Sequence, residues 1–492
     1  MAFIDGTVVN VALPALQKEL GASIVDAQWI IEAYALLLAA LLLVGGAAGD
    51  RYGRRLVFLL GVFLFAAASA WCGLAGNVRE LIFARAIQGV AAALLVPGSL
   101  SIIGASFNER ERGKAIGTWS GATAITGALG PVLGGWLIDH FSWRAAFFIN
   151  VPLAAAVLAI SLWHVPESRN LQAKRLDWLG AVLVTLGLSG IIYGLIESSN
   201  RGWTNSYVVS ALLLGVLLLG CFAVAEMRQA APMVPPSLFR SKTFLGANLL
   251  TLLLYAALGG ALFFLPLNLI QVQGYSATAA GAALLPLIVL LAALSRWSGG
   301  LVDRYGAKGP LVIGPLVAAV GFALFAVPSQ GGSYWTTFFP AIVVLGLGMA
   351  VSVAPLTTVV MNSVNLAFEG AASGINNAAS RIAVVVAIAL FGVIFALTFN
   401  RCLDGNLANA HAPAAVVEAV DQQRNKLAAI ELPADLDEGV KGAARHAIAK
   451  AFIAGFRLVM IIAALLAAAS ALFAWALIEG ADRRGEAKPR PA

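Results

Sequence analysis

Little of this 492-residue sequence is charged, and less of it is chemically reactive. Asp, Glu, Lys and Arg together make up 12% of the residues, while 60% are hydrophobic. That scarcity of charge, with a mean hydropathy of +0.87, excludes a soluble globular domain of this size. The three cysteines, Cys72, Cys221 and Cys402, lie far apart, so neither a disulfide framework nor a redox or metal spacing is present. The four histidines, His140, His164, His411 and His446, make no ligand pair at helical spacing. HExxH, GxSxG and phosphate-loop patterns are missing, which removes the support for an enzyme, an ATPase, a metal or a cofactor. A basic n-region before the first apolar run is missing too, so that run reads as the start of a first span rather than a cleaved signal. The net charge of +7 sits in short loops rather than one patch, and no nucleic-acid partner is expected.

What is there is apolar sequence in lengths that suit a bilayer. A membrane helix needs about 20 mostly apolar residues, and fourteen such runs can be counted, from Met1–Leu16 to Ile453–Ile478. The first is short and carries Asp5, so either the chain starts upstream or this helix is abbreviated. With alternate loops assigned to opposite sides, one side and the tail hold 18 Lys and Arg, against four in the short loops opposite: Lys18, Arg79, Arg144 and Arg201. The positive-inside rule then places the rich side and both termini in the cytoplasm.

The rich side contains Gly46-Ala47-Ala48-Gly49-Asp50-Arg51-Tyr52-Gly53-Arg54-Arg55 between two apolar runs. A second copy follows as Gly299-Gly300-Leu301-Val302-Asp303-Arg304-Tyr305-Gly306-Ala307-Lys308. The copies follow the second and tenth runs, so the expected fold is an all-α polytopic membrane protein with 6 + 2 + 6 helices. Residues 1–165 form one six-helix bundle, 166–243 two linking helices, 244–480 a second bundle, and 481–492 a cytoplasmic tail. Residues 400–452 form one long hydrophilic insertion on the external face, where 416–427 and 436–451 read as short amphipathic helices. A solvated cap is the simpler reading of it; a gate or partner site is the other.

Two further motifs are Arg85-x-x-Gln88-Gly89 and Gly127-x-x-Gly130-Pro131-x-x-Gly134-Gly135. With the Asp50 turn and Asp5-Gly6-Thr7-Val8-Val9-Asn10-Val11-Ala12-Leu13-Pro14, they make the chain resemble the major facilitator superfamily, in its fourteen-helix drug:proton antiporter branch. The resemblance implies a parallel six-helix repeat around a central site. It also implies that Gly46, Asp50, Arg51, Gly53, Arg54 and Arg55, with Asp303 and Arg304, latch helices on the cytoplasmic side. The Gly-Pro-x-x-Gly-Gly order, with Gly127, Gly130, Pro131, Gly134 and Gly135, implies an antiporter, hence export.

Ionisable groups inside spans are costly and mark function. Arg85 therefore faces the interior, with Gln88 and Gly89 on the same helix face at i+3 and i+4. Asp5 reads as the proton carrier and Glu32 as a second acid that pairs or competes with Arg85. Packing alone is a sufficient account of the helix-5 glycines, which share a face at i, i+3 and i+7 beside a Pro131 kink. The substrate-cavity candidates are Asn10, Gln88, Phe264, Asn268, Asn376, Asn377 and Arg381. The second-half spans carry almost no acid, and Arg381 repels a cation, which favours neutral, zwitterionic or weakly charged amphiphiles.

The expected activity is proton-coupled export of hydrophobic or amphiphilic small molecules across the inner membrane, with the proton gradient in place of any cofactor. The partners expected are the substrate, protons and lipid, with a monomer as the functional unit. A dedicated exporter of one endogenous metabolite or antibiotic stays open, as does a transport-silent sensor or assembly factor. The sequence identifies no accessory protein.

Overall fold

The computed structural model describes residues 1–107, 109–169, 177–229, 232, 234–364, 369–433 and 435–479, and among them there is no β-strand. Twelve helical stretches of the described residues are long and apolar enough to cross a membrane. The fold is thus that of an all-α, multi-pass membrane protein, because in lipid a helix satisfies its own backbone polar groups.

Helix α1 (Ala2–Leu20) ends where Gly21 takes a left-handed φ of 63°. Helix α2 (Ile24–Tyr52) opens with a reciprocal cap, Ser23 Oγ accepting from Asp26 N–H and Asp26 Oδ2 from Ser23 N–H at 2.9 Å. Such a cap contributes about 1 kcal/mol, which Ser23→Ala removes. A single residue, Gly53 with φ 123°, separates α2 from α3 (Arg54–Leu74). Asp50 therefore sits in the last turn of a helix rather than in an open loop. Asn77 caps α4 (Val78–Ser106), and α5 (Glu109–His140) runs through Pro131 as one helix. A short α6 (Ala145–Phe148) leads into α7 (Asn150–His164). The α1 and α5 runs, which bring ionisable residues into their helices, fall outside the twelve stretches.

Helices α8 (Trp178–Arg201) and α9 (Ser206–Arg228) form a pair packed through glycines. A methyl on Gly190 would meet the Ala211 carbonyl oxygen at 2.7 Å, so only small residues permit this approach. Trp29 donates from its indole to Glu197 Oε1 at 3.2 Å and fastens α8 to α2. Most of α9 is exposed apolar surface, as Leu213, Val216 and Leu217 illustrate, and it faces lipid.

Next comes α10 (Lys242–Leu267), whose end widens into a π-helical turn over Asn268–Val272. Ser276 caps α11 (Ala277–Ala283), which continues as α12 (Leu285–Gly299). The second copy of the motif forms the short α13 (Leu301–Tyr305), ended by Gly306 at φ 75°. Then come α14 (Lys308–Phe325) and α15 (Phe338–Asn362). The last spans are far longer than their apolar runs: α16 (Glu369–Asn409) has 41 residues and α18 (Glu438–Leu477) has 40.

These lengths correct the reading of the 400–452 insertion. Its first ten residues and its last fifteen are helical extensions of α16 and α18, and 436–451 is no separate helix. Between them lie α17 (Ala414–Asp421) and a 3-10 turn over Arg424–Ala429. Arg424 binds Asp404 of α16 and Asp421 of α17, at 2.5 and 2.7 Å, and draws the loop back on the bundle. Leu427 is buried despite a φ of 56°, a conformation that costs a non-glycine residue of order 1 kcal/mol. The 3-10 turn touches α1 and α2 of the first half and α16 and α18 of the second, so the insertion is a folded cover over one end of both halves.

Candidate functional site

The chemistry concentrates where α1, α2, α4 and α7 converge, with Ser69 of α3 accepting from Asn150 Nδ2 at 3.0 Å. Asp5 and Arg85 are both buried, and Arg85 Nη1 donates to Asp5 Oδ2 at 2.5 Å. Gln88 Nε2 and Asn150 Nδ2 donate to Asp5 Oδ1 at 2.9 and 3.1 Å. The guanidinium also donates to Gln88 Oε1 at 2.7 Å and to the Ile30 carbonyl at 3.1 Å. Tyr34 closes the cluster, its ring centroid 4.3 Å from the guanidinium carbon. A buried ion pair is tolerable only when the remaining donors and acceptors are used, and here nearly all are. Breaking it by removing one partner costs about 3–5 kcal/mol, so a proton arriving at Asp5 disturbs the whole cluster.

The sequence brings Arg85 toward Glu32; the structure gives it to Asp5. Glu32 is fully buried on α2, and among the described residues neither carboxylate oxygen has a hydrogen-bond partner. Arg85 projects from α4 toward α1, whereas Glu32 lies one turn beyond Gln28, whose amide reaches the Ile388 carbonyl of α16 at 2.8 Å.

A second constellation joins the two halves at the end opposite Asp50. Asp139, at the end of α5, accepts from Ala277 N–H at 3.1 Å, Thr278 N–H at 2.8 Å and the Thr278 hydroxyl at 2.5 Å. It thereby caps α11. Burial works against its ionisation, but these donors and the Ser276 hydroxyl outweigh it and hold the carboxyl below the usual aspartate range. Pro131, Gly134 and Gly135 lie beneath. Gly135 faces the Ala277 carbonyl and Gly281 faces the Pro131 carbonyl, each so closely that a side chain has no room. Gly130 and Gly134 face Thr7 and Val8 of α1, while a methyl on Gly127 would meet nothing within 4 Å among the described residues. Nearby, Gln271 donates to Gln17 at 2.8 Å, and Arg144 pairs with Glu19.

The Asp50 end is held differently. Asp50 accepts from Arg54 Nε at 2.8 Å within its own motif. Glu167, after α7, accepts from the backbone N–H of Arg55 and Leu56 at 3.1 and 3.0 Å and caps α3. Gly53 is necessary there, since a methyl would sit 2.9 Å from that carboxylate. Arg55 donates to the Val165 carbonyl, while Arg51 and Gly46 make no hydrogen bond across the halves. Among the described residues no hydrogen bond or ion pair joins 46–56 to 299–308. The Asp303 side chain lies outside the described residues, and Arg304 stacks on Tyr305 of its own helix.

In the second half the cavity candidates divide. Phe264 is buried in a stack with Phe395, centroids 4.5 Å apart and nearly parallel, and belongs to the core of its half. Asn268 is buried too, bound by Gln273 at 3.3 Å. Asn376 donates to Thr251 Oγ1 at 2.6 Å and to Asn248 Oδ1 at 3.2 Å, which ties α16 to α10. Asn377 is exposed and Arg381 half-buried, as is Asn10 on α1. Sequence reasoning missed Asn150, Ser69, Tyr34, Asp139 and Glu167. Asn150 carried a usable signal, an amide opening an apolar run.

The chain matches the Major Facilitator Superfamily over residues 1–388. It is 33% identical to the tetracenomycin C resistance and export protein of Streptomyces glaucescens, over 100% of this chain and 92% of that one. It is also 33% identical to the multidrug resistance protein Stp of Mycobacterium tuberculosis (strain CDC 1551 / Oshkosh), over 83% and 76%. Among solved structures it resembles a bacterial homolog of the human lysosomal transporter Spinster, in an inward-facing and unoccupied conformation. The TM-score is 0.61 at 18% identity, with 96% of this chain and 93% of that one covered.

Proposed function

The chain belongs to the major facilitator superfamily, and on that premise we propose that it exports hydrophobic or amphiphilic small molecules, drugs and antibiotics among them, in exchange for external protons. The relatives named for drug resistance and export support the direction of transport. The observation that carries the coupling is Asp5, a buried carboxylate held by Arg85, Gln88 and Asn150 between apolar helices. A proton from outside neutralises Asp5, frees Arg85 and changes how α1 packs; loss of that proton inside restores the cluster.

In this reading the Asp50 side and both termini are cytoplasmic, the Asp139 seam is external, and the state described is inward-facing. Residues 1–165 and 244–480 act as the moving halves, joined by the pair within 166–243, one of whose helices touches both α2 and α16. The unit is a monomer in the cell membrane, and the proton gradient supplies the energy. The motif pair, Asp50 to Arg55 and Asp303 to Arg304, meets across the halves only when the cytoplasmic side closes.

The test is proton release from acidified everted vesicles on addition of lipophilic compounds. Substrate-dependent collapse of the pH gradient is expected for the parent chain, with at least about a tenfold smaller response in Asp5→Asn, in line with loss of a charge-assisted hydrogen-bond set. Collapse that persists in Asp5→Asn moves the proton elsewhere. No collapse with any compound defeats the multidrug reading. A dedicated exporter of one antibiotic is the second reading, favoured by a relative named for tetracenomycin C alone; a response to a single compound class supports it.

A further inference from the structure

Arg381 is a charge without a counter-charge. It stands on α16 between Gly374, which makes room for Leu43 of α2, and Gly392, which makes room for Gln28. Steps of seven residues return to the same helix face, so Gly374, Arg381 and Ile388 share one stripe. Ile388 accepts a hydrogen bond from Gln28 of α2; the stripe therefore faces the other half of the molecule, and Arg381 faces it too. Its electrostatic neighbour there is Tyr34. Among the described residues Arg381 has no hydrogen bond and no ion pair, and it is half-buried.

The contrast with Arg85 is instructive. That guanidinium offsets its burial with Asp5, Gln88 and the Ile30 carbonyl. Asp5 is fully engaged there. Glu32, one turn along α2 from Gln28, has no hydrogen-bond partner among the described residues. Asn377, one turn before Arg381, spends its Nδ2 on the Ser373 carbonyl and is exposed. A planar guanidinium aimed between the halves, with free donors and no protein acceptor, is matched to a two-oxygen anion from outside the chain.

We propose that Arg381 is the anion-binding residue of the transport path, and that it selects amphiphiles carrying a carboxylate, whose two oxygens it takes in a bidentate contact. This rests on the exporter reading and adds the chemical class of its substrate. The anion and the coupling proton occupy separate places, at Arg381 and at Asp5.

The experiment uses the full chain in proteoliposomes with three probes of one shape: 9-anthracenecarboxylate, its methyl ester and 9-(aminomethyl)anthracene. The parent chain is expected to move the carboxylate in preference to the amine. Arg381→Gln is expected to raise KM for the carboxylate by at least about tenfold with kcat little changed, the loss of one charge-assisted contact, and to leave the ester unchanged. Arg381→Lys, which keeps the charge without the fork, recovers part of the loss. Retained ester transport shows that the variant has folded. Equal loss for ester and carboxylate, an unchanged KM for the carboxylate, or preference for the amine overturns the proposal while the exporter reading stands. If the parent moves none of the three and none quenches its tryptophan fluorescence, both readings fall.

Discussion

A methyl group at residue 135 is the most direct test of the seam between the halves. The added Cβ of Gly135→Ala would lie 2.6 Å from the Ala277 carbonyl carbon and 2.7 Å from the Thr278 Cα. Ordinary carbon contacts begin at about 3.5 Å, so α5 and α11 must separate by about 0.9 Å. Both obstacles are backbone, which no rotamer change removes. Overpacking of this kind costs about 1–3 kcal/mol, and since every 1.4 kcal/mol is tenfold, the closed seam should lose about 5- to 150-fold in population relative to the open one. Gly127→Ala is the control, because nothing lies within 4 Å of its Cβ. The assay is a distance measurement between spin labels at Arg79→Cys and Ser333→Cys, one at this end of each half, in a chain freed of Cys72, Cys221 and Cys402. Gly135→Ala should add a longer-distance population that Gly127→Ala lacks. Identical distributions for parent and Gly135→Ala, both folded, refute the argument.

The hydrogen bonds on Asp139 set a pH dependence for the same label pair. Its carboxyl titrates below the usual range, so its contribution to the seam is complete above the ordinary aspartate value of about 3.9 and is lost as pH falls through the lowered folded value. The distances should hold between pH 5 and pH 8 and lengthen only below about pH 4, whereas Asp139→Asn should show the longer population at every pH; lengthening of the parent near pH 6 contradicts the assignment. At the other end, Glu167→Ala leaves the Arg55 and Leu56 N–H groups without their cap, a loss of about 1 kcal/mol. Trypsin applied to that face should then cut after Arg54 or Arg55 about five times faster, and an unchanged rate removes Glu167 from the latch.

The all-α, multi-pass fold was legible because a bilayer reduces structure to length and hydropathy. Asp5, Arg85 and Gln88 stood out for the same reason, as polar groups in spans that must face inward. Their partnership was not legible, because which acid an arginine reaches depends on helix rotation, and that turns on which glycines face which neighbour. Glu32 and Asp5 are both plausible partners along the sequence; only the packing of α1 against α5 decides between them. The long helices past residue 399 escaped because hydropathy marks where a helix leaves the membrane, not where it ends. Phe264 misled for the opposite reason: in an apolar span an aromatic ring has the same sequence environment in a core as in a cavity.

On the proposed cycle, the arrangement of small residues gives a path from Asp5 to the distant contact between α5 and α11. Asp5 lies within a turn of Thr7 and Val8, and these two rest on Gly130 and Gly134. Pro131 and Gly135, on the next face of the same turn of α5, are the residues that meet Gly281 and Ala277 of the second half. Backbones that touch with no side chains between them have no soft layer to absorb a shift, and close-packed interiors transmit strain. In that proposal, a change in how α1 sits, such as the release of Arg85 from a neutralised Asp5, passes to α5 at Gly130 and Gly134. It emerges at the α11 contact one turn later, where Asp139 holds the seam by hydrogen bonds alone. In this geometry the Gly-Pro-x-x-Gly-Gly stretch serves as the rigid member between two places that must change together, and its glycines are required by the closeness of α1 on one side and α11 on the other.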